Sequence, residues 1–331
     1  MAKRFNPART AFSAIFLLVV FGYMLARKPP PEAHPKFKGT TFGSVDFHIY
    51  TANADLDRVE KTRLGLAISE ALDAVNQQMS TWRPDSEISR FNQTNSTDWV
   101  EISADFAKVV QAARLFAEDT GGAFDPTAGV LKRQYELGPT GAPVPERLAA
   151  GYTLLEQDGT RIRKTNPALA FNLDAIAKGY AVDQVSELLT QQGVTNHLVE
   201  IGGEMRTSGK NPDGGSWFVG IEVPKVGGGL YGYYKIPDIA VATSGTAYQG
   251  KHIIDPATGA AVSNSLRGVS VLAPSCIEAD ALATAYVVMG RERAFAHAAA
   301  RPNTEALLLY VRDGILQEQK TDGWPAEDEG P

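Results

Sequence analysis

The order of hydrophobic patterns along the chain restricts its fold more than any other feature. Apolar residues alternate at Val45, Phe47 and Ile49, which is typical of a strand, and residues 55–79 then have helical spacing. Further on, helices follow groups of strands without the one-for-one alternation that builds parallel βαβ units. This order predicts an α+β fold, in which helices pack on sheets.

The other elements are predicted from the same periodicities and from glycines that end helices. Further helices are predicted at Ala104–Asp119 and at residues 181–193, 277–289 and 292–300. Strands are predicted at residues 152–156, 161–164, 168–173, 197–201, 217–223, 239–243, 269–272 and 307–311. The sequence contains no internal repeat.

Composition excludes several classes of protein. Hydrophobic residues make up 44% and charged residues 21% of the 331 residues, the balance of a folded globular chain. A formal net charge of −6 gives no basic face, which excludes a nucleic-acid partner. The single cysteine, Cys276, excludes an intramolecular disulfide and a thiolate zinc cluster.

The N-terminal segment has its own pattern. Residues 10–26 are apolar and uncharged, basic residues flank them, and a proline-rich stretch follows at residues 28–35. A helix over this run reaches about 25 Å, the lower limit for a hydrocarbon core of about 30 Å, so both a signal sequence and a membrane anchor fit. The run lacks a good small-residue cleavage site, which favours an uncleaved anchor. We therefore predict attachment to the inner membrane, with the body exported to the periplasm.

Asp280 and Thr284 form the first candidate site. Positions four apart on a helix share a face, so this carboxylate and this hydroxyl point the same way. Two hard oxygens of this kind suit Mg²⁺, which keeps several waters. The alternative is an aspartate that favours the helix dipole and a threonine bonded to a backbone carbonyl.

Residues 171–180 form the second candidate site, where a strand end leads into a helix. Backbone amides at a helix N-terminus attract phosphate, Lys178 adds charge, and Gly179 permits close approach. The alternative is an ordinary helix entry with Asp174 as its N-cap.

Two further patterns lie in segments rich in turn residues. His252 precedes the turn at residues 255–259 and suits a base or ligand near neutral pH, although a structural histidine is the alternative. Phe42, Trp82 and Phe124 each lie among small polar residues, as stacking on a planar ring requires, although each also suits packing.

Taken in order, these segments resemble the ApbE family, the FAD:protein FMN transferases. The resemblance covers roughly residues 37–315. It rests on seven blocks: Met-Ser-Thr-x-x-x-x-Ser-x-Ile-Ser, Ala-Phe-Asp-Pro-Thr, Ala-Ile-Ala-Lys-Gly-Tyr-Ala, Ile-Gly-Gly-Glu, Ala-Thr-Ser-Gly, His-Ile-Ile-Asp-Pro-x-Thr-Gly and Asp-Ala-x-Ala-Thr-Ala. It implies an exported enzyme that binds FAD and Mg²⁺, transfers FMN to a threonine of a partner flavoprotein and releases AMP. Respiratory redox subunits are the acceptors that it implies.

The resemblance also implies roles for individual residues. Metal ligands are expected at the side chains of Asp280 and Thr284 and at the main-chain oxygen of Ala175. Flavin contacts are expected at Phe42, Trp82, Ala123, Phe124, Asp125, Asn172, Lys178, His252 and Ile254. The family often has methionine where Phe42 stands and tyrosine where Trp82 stands, and both replacements keep a flat or polarisable surface.

The expected reaction is attack by a threonine hydroxyl on the FMN-side phosphorus of FAD. His252 and Asp280 are the expected catalytic residues, and the base is His252, Asp255 or Asp280. We expect an anchor and tether at residues 1–36, one transferase domain of two closely packed lobes at 37–315, and a tail at 316–331. The alternatives are a Mg²⁺-dependent FAD pyrophosphatase and a non-catalytic periplasmic flavin-binding protein.

Overall fold

An eight-stranded sheet lies at the centre of the computed structural model, which describes residues 35–128, 150–223, 229–246 and 252–330. All neighbouring strands of this sheet run antiparallel. In spatial order the strands are β1 (Phe37–Thr41), β2 (Val45–Thr51), β6 (His197–Ile201), β7 (Glu204–Ser208), β10 (Ala240–Gly245), β11 (Leu266–Ala273), β12 (Glu305–Arg312) and β13 (Ile315–Lys320).

Two smaller antiparallel sheets of three strands each accompany the central one. The first contains, in order, β14 (Glu327–Asp328), β9 (Leu230–Ile236) and β8 (Trp217–Glu222). The second contains β3 (Val100–Glu101), β5 (Arg161–Lys164) and β4 (Leu155–Asp158).

Six α-helices occur in the described ranges. They are α1 (Arg58–Met79), α2 (Glu87–Gln93), α3 (Ala104–Asp119), α4 (Ala177–Gln191), α5 (Cys276–Met289) and α6 (Arg291–Ala300). Local sequence explains where α1 begins, because Asp57 and Glu60 form a reciprocal capping box. A short 3₁₀ turn at Tyr152–Leu154 precedes β4.

The central sheet separates two hydrophobic layers, because side chains alternate along each strand. On β6, Val199 and Ile201 pack with the helices, and we call this side the helix-covered face. Leu198, the residue before Val199, packs on the other side with residues of β8 and β9, and we call this side the strand-covered face. Helices α4 and α5 lie directly on the helix-covered face, so functional groups that they carry lie against the sheet.

The α+β prediction is confirmed, and several element bounds agree with it. Helix α3 and strand β6 have the predicted ends, and α5 begins one residue before the predicted position. The predicted strand at residues 168–173 is wrong. The backbone N–H and C=O of Phe171 bond instead to the side-chain amide of Asn92, at 3.0 and 2.7 Å, so this segment joins no sheet.

The sequence pattern predicts that residues 1–36 and 316–331 lie outside the transferase domain. Residues 35–330 form a single compact unit. The segment expected as a tail contains most of β13, which pairs with β12, and also β14, which pairs with β9. The predicted anchor at residues 10–26 lies outside the described residues. Among the helices that the structure describes, none combines the length and apolarity needed to cross a bilayer.

Candidate functional site

The candidate site is built where α4 and α5 cross in close contact. A Cβ atom on Gly179 of α4 would overlap the carbonyl oxygen of Cys276 and lie 2.8 Å from Cβ of Asp280. Only glycine permits this approach. The crossing therefore brings Lys178 of α4 next to Asp280 of α5, two residues that are far apart in sequence.

Asp280 is buried, and its carboxylate bonds to the other helix. Its Oδ2 accepts a hydrogen bond from the N–H of Gly179 at 3.0 Å, and its Oδ1 lies 3.9 Å from Nζ of Lys178. In a continuous helix the N–H of Gly179 would bond to the carbonyl of Ala175, four residues earlier. Because Asp280 takes that N–H, the Ala175 oxygen does not receive this helical hydrogen bond.

Glu204 of β7 completes the charged cluster. Its Oε1 lies 2.5 Å from Nζ of Lys178, and its side chain is only 4% exposed. The other oxygen, Oε2, has no hydrogen-bond partner among the described residues. A buried carboxylate oxygen without a donor is costly, so it indicates a place where a ligand or a bound water donates a hydrogen bond.

Burial and ion pairing have opposite effects on the pKa values of Lys178, Glu204 and Asp280. Burial alone lowers the pKa of Lys178, but the carboxylates of Asp280 and Glu204 outweigh it and raise that pKa above its ordinary value. Burial raises the pKa of Glu204 and of Asp280, and the charge of Lys178 opposes this in both cases. Lys178 is therefore held in its charged form. The buried thiol of Cys276 also has a raised pKa, chiefly from desolvation, which keeps it neutral.

The residues at the crossing fit Mg²⁺. Asp280 is the fifth residue of α5 and bonds to α4, so it is not the first-turn aspartate of the alternative interpretation. The hydroxyl of Thr284, one turn further, lies 3.0 Å from the hydroxyl of Ser244. A carboxylate, a hydroxyl and the Ala175 carbonyl are hard oxygen donors, and the free Oε2 of Glu204 suits a coordinated water. Among the described residues no group of three or more His, Cys, Asp and Glu side chains is placed to hold a metal ion.

A second group of predicted residues lies where the segment after α3 meets the segment before α4. Asp125 accepts hydrogen bonds from the N–H and hydroxyl of Thr127 at 2.8 and 2.7 Å and from the N–H of Tyr152 at 3.1 Å. Burial raises the pKa of Asp125, against the effect of these donors. The N–H of Asn172 donates to the carbonyl of Pro126 at 2.8 Å. The segments that carry Asp125 and Asn172 therefore lie side by side.

The predicted aromatic contacts differ in exposure. Trp82, in the turn after α1, is 84% exposed, so its ring is open to a planar ligand. Phe42 is half-buried in the turn between β1 and β2, with a positive φ of 48°. Ala123 and Phe124 are buried, and the ring of Phe124 belongs to the hydrophobic core, which agrees with the packing alternative for this residue.

The segment of His252 continues into a turn. Ile254 is buried and forms an isolated bridge with Ala261. Oδ1 of Asp255 accepts a hydrogen bond from the N–H of Ala257 at 2.9 Å, which commits this carboxylate to the turn. His252 itself is half-buried.

The structure also identifies what sequence reasoning missed. The suggested N-cap at Asp174 is wrong, because α4 begins at Ala177 and the carboxylate of Asp174 instead accepts from the amide of Asn172 at 3.2 Å. Glu204 and Ser244 were not predicted as individual site residues. Both lie in sequence blocks that the resemblance uses, Ile-Gly-Gly-Glu and Ala-Thr-Ser-Gly, and that membership was the only signal for them.

Comparisons with known proteins identify the family. A model of the ApbE family matches residues 43–308. The FAD:protein FMN transferase of Vibrio cholerae is 36% identical over 308 residues, 88% of this chain and 91% of that protein. The protein of the same name from Haemophilus influenzae is 37% identical over 269 residues, 74% of this chain and 77% of its own.

Solved structures give the same result for the fold. The flavin transferase ApbE from Vibrio cholerae has a TM-score of 0.78 and 36% identity, with 86% of this chain and 96% of that chain covered. The apo form of the flavinyl transferase ApbE from Pseudomonas stutzeri has a TM-score of 0.76 and 30% identity, with coverages of 86% and 93%. The similarity therefore extends over nearly all of the two solved chains.

Proposed function

This chain belongs to the ApbE family, and we propose that it is an FAD:protein FMN transferase that moves the FMN part of FAD to a partner protein. The convergence of Lys178, Glu204 and Asp280 at the crossing of α4 and α5 carries this proposal. A charged lysine beside oxygen donors suits a pyrophosphate and the divalent cation that accompanies it. We place the pyrophosphate of FAD at this crossing.

We further propose that the acceptor group is a threonine hydroxyl. Its oxygen forms a bond to the FMN-side phosphorus while the bond from that phosphorus to the bridging oxygen breaks, and AMP leaves with the bridging oxygen. Mg²⁺, held by Asp280, Thr284 and the Ala175 carbonyl, would screen the charge of the pyrophosphate and of the leaving AMP. Lys178 supplies a second positive contact, since its two carboxylate neighbours keep it protonated.

His252 is the proposed base that takes the hydroxyl proton. Asp255 is a weaker choice, because its carboxylate already accepts a hydrogen bond within its own turn. Replacement of His252 by alanine should reduce turnover more than it reduces FAD affinity. Unchanged turnover would remove this residue as the base.

The flavin ring is proposed to lie against Trp82 and Phe42, with Asp125 and Asn172 at its polar edge. The high exposure of Trp82 supports this placement. For location, the uncharged run at residues 10–26 supports attachment to the inner membrane, with the body in the periplasm. A respiratory redox subunit is the proposed acceptor.

Co-expression with such a subunit, followed by intact-mass measurement, tests the activity. A mass gain of FMN minus one water on the subunit, lost with Asp280→Ala, supports the transferase. The matched control is Asp322→Ala, at an exposed turn position, which should transfer normally.

The same samples distinguish the alternatives through their small molecules. Free FMN and AMP without any mass gain on the subunit would identify a pyrophosphatase. FAD that stays intact with Mg²⁺ and acceptor present would identify a flavin-binding protein. Normal transfer by Asp280→Ala in excess Mg²⁺ would contradict the metal assignment.

A further inference from the structure

Helices α4 and α5 both begin without a cap from their own sequence. The first N–H groups of any helix lack partners within it and are normally bonded by the side chain at the N-cap. Ile176 precedes α4 and cannot do this, and Ser275 precedes α5 but makes no capping hydrogen bond. Both helix starts are buried, so their N–H groups need partners from elsewhere in the fold.

Each helix receives its capping carboxylate from the other. Asp183 of α4 accepts hydrogen bonds from the N–H groups of Cys276 and Ile277, the first two residues of α5, at 2.9 Å each. In return, Asp280 of α5 accepts from the N–H of Gly179, the third residue of α4, at 3.0 Å. The two caps point in opposite directions across one contact and fix both the separation and the rotation of the helices.

Strand β7 forms two ion pairs with α4. Arg206 lies 2.5 Å from Oδ1 of Asp183, whose side chain is only 6% exposed. Two residues earlier, on the same side of the strand, Glu204 pairs with Lys178. Both ion pairs therefore join α4 to one strand, at helix positions five residues apart.

We infer that Asp183 is a positioning residue for the reaction: by capping α5 from α4, it holds Asp280 and Thr284 at the distance from Lys178 that the site needs. This inference rests on the proposed function. A displacement of about 1 Å in such a site reduces rates by about a hundredfold. Asp183 itself touches only helix N–H groups and Arg206 among the contacts described, so it acts through the residues that it places.

The test compares Asp183→Asn with wild type. Asparagine keeps the size and one acceptor oxygen but loses the second acceptor and the ion pair with Arg206. We expect kcat for FAD consumption to fall tenfold or more with KM for FAD changed less than threefold. Mg²⁺ affinity, measured by calorimetry without FAD, should fall fivefold or more.

The matched control is Asp57→Asn. Asp57 also caps a helix with two N–H bonds, to Val59 and Glu60 of α1, but lies at the surface and outside the site. It should change the melting temperature little, because the accepting oxygen is kept and asparagine caps a helix about as well as aspartate. It should leave kcat and Mg²⁺ affinity unchanged. If Asp183→Asn behaves like this control, then Asp183 is only a structural cap and the inference is wrong.

A second variant keeps the test decisive if Asp183→Asn does not fold. Arg206→Gln leaves both capping bonds but removes the charge that orients Asp183. It should lower kcat and Mg²⁺ affinity with little change in KM for FAD, by smaller factors than Asp183→Asn, and Arg206→Lys should restore part of the loss. An unchanged kcat and Mg²⁺ affinity in folded Arg206→Gln would overturn the inference in that case. If the wild-type protein binds Mg²⁺ but consumes no FAD, the proposed function is wrong, while the role of Asp183 in placing the metal ligands is still tested by Mg²⁺ affinity. If the wild-type protein neither binds Mg²⁺ nor consumes FAD, both the proposed function and the inference are wrong.

Discussion

The two faces of the central sheet bury different chemistry. Of the described Asp, Glu, Lys and Arg residues, only four are buried, and three of these, Asp183, Glu204 and Asp280, lie where α4, α5 and β7 meet on the helix-covered face. The strand-covered face packs apolar side chains such as Ile236 and Leu307 against one another. Buried charges cost stability unless they are fully paired, whereas buried apolar surface supplies it. We therefore propose that the reaction depends on the first face, whose apolar layer also stabilises the fold, whereas the second face contributes stability alone.

The largest expected effect is that of Gly179→Ala, which attacks the helix crossing directly. The new Cβ would overlap the backbone of Cys276, so α5 must shift and Asp280 must move away from Lys178. We expect FAD consumption to fall a hundredfold or more. Steady-state kinetics with FAD, together with a thermal melt, measure both consequences.

Gly65→Ala provides the control, because Gly65 is also a helical glycine. A Cβ there would lie 3.6 Å from the ring of Phe37, an ordinary contact. This variant should keep full activity and gain about 0.5–1 kcal/mol of stability from the higher helix propensity of alanine. Equal activity in both variants would show that the close crossing is not needed for the site.

The second prediction tests the strand-covered face. Ile236 of β9 is fully buried there, and Ile236→Ala should lower the free energy of unfolding by about 2–5 kcal/mol through lost burial and a cavity. The kcat of the folded fraction should not change. Urea unfolding and active-site-normalised kinetics measure the two quantities.

Leu230→Ala, on the same strand but 47% exposed, should cost about 1 kcal/mol or less. If Ile236→Ala reduces kcat as strongly as Gly179→Ala does, the two faces are not separable, and the comparison fails.

The sequence predicts those helices and strands whose hydrophobic pattern lies within the element itself. The helical spacing of α3 and the apolar run of β6 predict both elements with correct ends. The four-residue spacing of Asp280 and Thr284 places them on one helix face without any knowledge of the partner helix. Strands β1 and β13 were missed because they are the two edges of the central sheet, with mostly exposed side chains that leave no alternation to detect.

The contacts that assemble the site were beyond sequence reasoning. Asp280 bonds to Gly179 across 101 residues, and Asp183 bonds to Cys276 across 93. No periodicity encodes such pairs, because they depend on how two helices cross on a sheet. The family blocks located Lys178 and Asp280 but left the connection between them to the structure.

The third prediction concerns Trp82, which is exposed in the turn after α1. Trp82→Ala should change the free energy of unfolding by no more than about 0.5 kcal/mol, since little of the side chain is buried. It should raise KM for FAD about five- to tenfold, the worth of one aromatic stacking contact of about 1–1.5 kcal/mol.

Trp99→Ala is the control for loss of a tryptophan, because this ring lies under Arg163 at 4.7 Å and is engaged within the protein. It should leave KM for FAD unchanged. Equal KM values for Trp82→Ala and wild type would remove Trp82 from the flavin site and confine ligand binding to the crossing.

The smallest expected effect comes from His197, a buried uncharged group on the helix-covered face. The carbonyl of Val194 can only accept, so Nδ1 of His197 carries the proton and donates to it at 2.8 Å, and Nε2 accepts from the hydroxyl of Ser186 at 2.7 Å. Burial lowers the pKa of His197, and the charge of Arg206 adds to this. As pH falls, His197 therefore binds its proton in the unfolded chain, starting near pH 6.5, before it does so in the native protein. By linkage, stability is lost as pH falls below about 6.5 towards the lower native pKa.

The His197→Gln variant isolates this contribution, since glutamine keeps one donor and one acceptor but does not titrate. The buried carboxylates, whose pKa values are raised, contribute with the opposite sign in both proteins and cancel in the comparison. Urea unfolding between pH 5 and 7.5 should show a shallower loss of stability in the variant, by at most one proton, or about 1.4 kcal/mol per pH unit. Parallel pH profiles would mean that the helix-covered face accepts a charged imidazole. Its buried charges would then be tolerated generally rather than being specific to the crossing of α4 and α5.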